Sequence, residues 1–78
     1  MSAYGRPAET REALRAGNLE YERRFGHIYL VFAGGRSASE LLEDLRSRLG
    51  NDPRTELAIA AKEQRRITRA RLQRLLAP

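Results

Sequence analysis

Residues 37–50 read Ser-Ala-Ser-Glu-Leu-Leu-Glu-Asp-Leu-Arg-Ser-Arg-Leu-Gly, and their reading decides the fold class. Ser37 and Glu40 stand three apart in the order of a capping box: the Ser37 hydroxyl accepts the N3 amide, and the Glu40 carboxylate reaches back to the Ser37 amide. Leu41, Leu42, Leu45 and Leu49 then recur at helical spacing. Glu43, Asp44, Arg46 and Arg48 fill the rest, and Gly50 supplies the stop. The pattern predicts an amphipathic helix over 37–49.

Downstream, Asp52-Pro53-Arg54-Thr55-Glu56 repeats the logic, with Asp52 as N-cap, Pro53 at N1 and Glu56 at N3. A helix over 53–76 follows, supported by its length, its alanines and its freedom from internal glycine or proline. At about 100° per residue, Leu57, Ala60, Ala61, Gln64, Ile67, Thr68, Arg71, Leu72 and Leu75 share one broad face. Lys62, Arg66 and Arg69 point away from it.

Upstream, residues 1–6 read as a flexible tail, and Pro7, Ala8 and Glu9 suit a first helical turn. The first helix is expected over 7–25, with Leu14, Tyr21 and Phe25 on one face, Asn18 in the same stripe, and Gly26 placed for a left-handed cap. Gly17 weakens it somewhat. Residues 27–33 change character: Ile28, Tyr29, Leu30, Val31 and Phe32 are aliphatic, β-branched or aromatic, between Gly26 and Gly34-Gly35. A lone strand has no partner within the chain, so the helical surroundings favour an extended connection buried between helices over an edge paired with another molecule.

The expected architecture is therefore all-α, with three main helices and one extended apolar segment forming a single helical domain over 7–78. At 78 residues a domain buries only about 60% of the surface of its unfolded chain. Cysteine is absent and His27 is the single histidine, which excludes disulfides, thiolate metal sites and a His-rich zinc site. The apolar run from Ile28 to Ala33 is far short of the roughly 20 residues of a membrane span. With no secretory or retrieval signal in the ends of the sequence, the expectation is a soluble cytoplasmic protein.

The net charge of +5 is local, because residues 62–74 carry six cations and one acid while the remainder balances. Such a segment can bind nucleic acid or an acidic protein. The chain also holds a single lysine among its 15 basic residues, so an arginine-biased composition and a solvated face account for most of these side chains. Arg71 differs. On a packing face a guanidinium needs a carboxylate partner, a snorkelled end, or a cleft that holds an anionic ligand. Gln64, seven residues earlier on that face, is either a satisfied core amide or a donor and acceptor for an amide or ureide ligand.

Gly34-Gly35-Arg36-Ser37 precedes a helix N-terminus, where anions are favoured, but it lacks the P-loop and dinucleotide patterns and reads first as a glycine turn. His27 follows a helix-ending glycine with no carboxylate at a suggestive spacing, and reads as a surface or half-buried histidine. No catalytic set stands out.

The order of the pieces resembles the C-terminal half of the 2-oxo-4-hydroxy-4-carboxy-5-ureidoimidazoline (OHCU) decarboxylase family. The resemblance runs from about residue 11 to 76 through Asn18-Leu19-Glu20-Tyr21-Glu22-Arg23-Arg24-Phe25-Gly26, the apolar run, Gly35-Arg36-Ser37, Leu49-Gly50-Asn51-Asp52-Pro53, Glu56, and Ile67 with Arg71-Leu72. It implies an all-helical, often dimeric protein of uric acid breakdown, which releases CO₂ from the ureidoimidazoline to give (S)-allantoin without metal or organic cofactor. In that family a His-Pro motif and a downstream glutamate handle the proton transfers. An arginine of the C-terminal helix, at the position of Arg71, helps hold the anionic substrate, and main-chain groups of the segment matching Ile28, Leu30 and Phe32 line the site. Neither the His-Pro motif nor the catalytic glutamate precedes Tyr4, and His27 falls where the family has a non-catalytic residue. The chain thus resembles half of an enzyme: a fragment, a short paralogue without catalysis, or a subunit completed by another chain. No catalytic residue is assigned. The expected ligand is a small ureide, bound by Arg71, Gln64, Ile28, Leu30 and Phe32. The expected partner is a second copy or a missing N-terminal part. The competing reading is a small basic helical module for nucleic acid or an acidic protein.

Overall fold

The computed structural model describes residues 7–77, so the tail expected over residues 1–6 lies outside the described residues. Three helices follow in order, α1 (Pro7–Phe25), α2 (Ala38–Leu49) and α3 (Pro53–Leu76), and no strand occurs among the described residues. The all-α class and all three helices stand as the sequence predicts. Residues 28–33 run extended between α1 and α2 without a ladder partner.

Local chemistry sets each boundary. Gly26 takes a φ of 78° after the last turn of α1, a left-handed conformation that glycine adopts at little cost. Ser37 caps α2 with the full reciprocal box, its hydroxyl accepting from Glu40 N and its own amide donating to the Glu40 carboxylate. At α3 the Asp52 side chain accepts from the amide of Thr55 at 2.9 Å. Thr55 is therefore N3, and Glu56 falls one position later than the sequence reading placed it. That single position turns the Glu56 carboxylate from the helix end into the interior.

The apolar core is small. Tyr21, Leu42, Leu45 and Ala60 are its buried hydrophobic residues. α1 packs on α2, and they approach closely at Gly17: a Cβ added there would lie 2.6 Å from Leu45 Cδ2. The glycine that weakens α1 in isolation is what lets Leu45 seat against it.

α3 docks by a different stripe from the predicted one. Glu56, Ala60 and Glu63 are buried and Ile59, Ile67 and Ala70 half-buried, at helical intervals of three and four. Of the face predicted to pack, only Ala60 and Ile67 turn inward. Leu57, Ala61, Gln64, Thr68, Arg71, Leu72 and Leu75 are exposed, with Leu57 at 62%, Leu72 at 53% and Leu75 at 76% of full exposure. The most apolar stripe of α3 is thus left uncovered, because the inward stripe is held by charges whose partners lie elsewhere in the chain.

Candidate functional site

A buried polar hub ties the three helices to the extended segment. Glu56, fully buried, accepts from the Tyr21 hydroxyl at 2.5 Å and from Arg48 Nε at 2.5 Å through Oε1, and from Asn51 Nδ2 at 3.1 Å through Oε2. Arg48, itself buried, donates through Nη1 to the main-chain carbonyl of Leu30 and lies 4.8 Å over the Tyr29 ring. Tyr29 in turn donates its hydroxyl to Asp44, 3.8 Å from Arg48 and 3.7 Å from Arg36. Among the described residues no buried side-chain nitrogen or oxygen is left without a partner, as burying charge requires.

The electrostatics follow from these contacts. Burial pushes the Glu56 carboxyl up, but hydrogen bonds from Tyr21, Asn51 and Arg48, with the charge of Arg48, outweigh it and hold the group below the usual carboxylate range. Burial also disfavours the charged Arg48, and Glu56 more than offsets this, raising the guanidinium's affinity for its proton. The Tyr21 phenol is pushed up to about 12, first by burial and then by donation to Glu56. Tyr29 shifts the same way, through burial and its bond to Asp44. All four groups are thus fixed in one protonation state near neutrality. The hub is a scaffold whose charges and phenols answer one another.

Its product is the shape of the extended segment. A stretch with no ladder partner must find other partners for its main chain. Arg48 binds the Leu30 carbonyl from one side, while Glu63 accepts the Phe32 amide at 3.1 Å from the other. With Tyr29 turned to Asp44, Ile28 and Leu30 line an open, almost wholly apolar trough of about 300 Å³, together with His27, Leu57, Ala60, Ala61 and Gln64.

Three of the five predicted site residues, Ile28, Leu30 and Gln64, therefore meet in one trough. Phe32 does not join them: it lies under Arg66, whose guanidinium is 5.1 Å from its ring. Gln64 is exposed and donates to the Thr68 hydroxyl at 3.3 Å. Arg71 is exposed and not among the residues lining the trough. By helical geometry it borders the stripe of Leu57, Gln64 and Leu75, about two turns from Gln64. The packing-face position expected for Arg71 is thus corrected to one on the open flank of α3.

His27 lines the trough half-buried, its Nδ1 donating to the Ile28 carbonyl at 3.1 Å and its ring edge-on to Tyr21 at 5.5 Å. Gly34-Gly35 forms a turn: both glycines have positive φ, the Arg36 amide donates to the Ala33 carbonyl at 2.7 Å, and Glu40 occupies the adjoining helix end. Among the described residues no group of three His, Asp or Glu side chains is placed to hold a metal ion, and no helix is long and apolar enough to cross a membrane.

The residues that the sequence reading missed are Arg48, Glu63, Tyr29 and Asp44. Arg48 carried a signal, standing three residues after Leu45 and six after Leu42 on the buried side of α2. Glu63 stands between Ala60 and Ile67 on the inward face of α3, but its partner is 31 residues away.

Comparison with known proteins places the chain in a family. The family model described as OHCU decarboxylase matches residues 2–73. The chain is 40% identical over 68 residues, 87% of its length, to the uric acid degradation bifunctional protein TTL of Arabidopsis thaliana, of which it covers 21%. It is 36% identical over 59 residues, 76% of its length, to the 2-oxo-4-hydroxy-4-carboxy-5-ureidoimidazoline decarboxylase of Amia calva, of which it covers 34%. It thus spans a fifth of one relative and a third of the other. On the family match, the two relatives and the helical fold, this chain belongs to the OHCU decarboxylase family.

Proposed function

We propose that this chain is the substrate-orienting half of an OHCU decarboxylase site, acting in the cytoplasm in uric acid breakdown on a small ureide substrate without metal or organic cofactor. The observation that carries the reading is the trough, where main-chain groups of residues 28–32 are held by Arg48 and Glu63 beside Gln64. A flat ureide offers amide N–H and carbonyl groups, which the Gln64 amide matches in both senses. Arg71, on the open flank of α3, supplies the cation for the substrate carboxylate.

Decarboxylation breaks the bond between ring carbon and carboxylate, and the electron pair left behind must end on a proton delivered to one face of the ring. The trough contains no carboxylic acid to deliver it. The reading therefore assigns binding and orientation to this chain, no catalytic residue within it, and proton transfer to an element that covers the exposed leucines of α3, preferred here over a second copy. The test is to add freshly generated ureidoimidazoline to the purified chain and follow allantoin by circular dichroism. Racemic product at the spontaneous rate is expected from the chain alone. An (S)-enriched signal would overturn the half-site reading and bring His27 forward as a proton donor.

A further inference from the structure

α3 separates its charges by face. Its two acids, Glu56 and Glu63, are both buried, while Arg54, Lys62, Arg65, Arg66, Arg69, Arg71 and Arg74 are all exposed. Arg66 is answered by Glu63 at 3.1 Å. The outward surface of the helix consequently holds cations and leucines with no acid of its own. Leu57, Leu72 and Leu75 form a stripe, bordered along one edge by Lys62, Arg65 and Arg69 at helical spacing.

We infer that this surface docks an amphipathic α-helix with an apolar face and an acidic flank. Charge complementarity selects that occupant. A second copy laid on the same stripe would set arginines against arginines, which costs association free energy. A nucleic acid backbone would satisfy the cations but leave the leucines, each more than half exposed, without an apolar counterpart. A helix with leucines on one face and glutamates beside them answers both features in the helix-in-groove mode. The inference rests on the half-site reading, in which another element covers these leucines, but its test reads helix binding and not allantoin chirality, so the two fail separately.

Two synthetic helices with one leucine register, one flanked by glutamates and the other by lysines, test it against the full chain by titration calorimetry. The glutamate-flanked helix should bind at least about tenfold more tightly, and added salt should erode the difference. Arg65→Glu with Arg69→Glu should reverse the preference, and Leu72→Ser with Leu75→Ser should remove binding of both helices. These side chains are exposed, so the helical circular dichroism of the variants should match that of the parent chain. Equal binding of the two helices, or binding of neither, would overturn the proposal. So would duplex DNA binding that the leucine substitutions leave unchanged.

Discussion

Glu63, on α3, accepts the main-chain N–H of Phe32 at 3.1 Å across 31 residues of sequence. Arg48 performs the complementary service for the Leu30 carbonyl from α2. An extended segment that would need a neighbouring strand in a sheet is here held by one buried acid and one buried base. The trough exists because those two bonds fix its backbone.

Removing the acceptor should loosen the segment without unfolding the helices. We expect Glu63→Leu to speed amide hydrogen exchange at Phe32 by about tenfold or more, and Glu63→Gln, which keeps a carbonyl acceptor, to have a much smaller effect. Equal protection in all three proteins, read residue by residue by NMR, would contradict the assignment.

Arg48 and Glu56 are a coupled pair. Arg48→Met leaves the Glu56 charge buried and unanswered, which should cost about 3–5 kcal/mol in urea denaturation. Arg48→Met combined with Glu56→Met should cost distinctly less than the sum of the single changes, since the orphaned charge is gone. Additive losses would show that the pair is not coupled.

The helices were legible because their signals are local: the Ser37–Glu40 box, the Asp52–Pro53 start, and the Gly26 end are each read within a few residues. The packing face of α3 was not legible. Periodicity selects the stripe richest in leucine, yet Glu56 and Glu63 pack inward because Tyr21, Arg48 and Phe32 answer them from 8 to 35 residues away, and one-dimensional spacing carries no trace of such pairing. The same shift moves Arg71 from a supposed interior to the open flank. Ile28, Leu30 and Gln64 line one trough, the first two singled out by resemblance and the third by its place on α3.

Gly17 has a use that helix propensity conceals. Gly17→Ala should gain about 1 kcal/mol of propensity and lose about 1–3 kcal/mol to the collision with Leu45, for a net fall in the urea midpoint. Leu45→Ala should convert the same substitution into a net gain. A midpoint raised by Gly17→Ala alone would refute the close approach of α1 and α2.

The pH profile of stability should fall at both ends. The depressed Glu56 carboxyl contributes stability that is present above its unfolded value of about 4.3 and is lost as pH falls through the folded value. Tyr21, raised to about 12, contributes stability that is whole below the unfolded phenol value of about 10 and is lost as pH rises toward 12. Tyr29 is raised in the same sense. Urea midpoints across pH should show both limbs, and Tyr29→Phe should flatten the alkaline one.

The most direct measurement is an NMR titration of the chain with allantoate, a stable ureide that keeps a carboxylate. The account predicts shifts in the amides of Ile28 and Leu30, the side-chain amide of Gln64 and the guanidinium of Arg71, with Arg71→Ala weakening binding by about tenfold or more and Arg69→Ala leaving it unchanged. Shifts confined to Lys62, Arg65 and Arg69, or binding indifferent to Arg71, would contradict it.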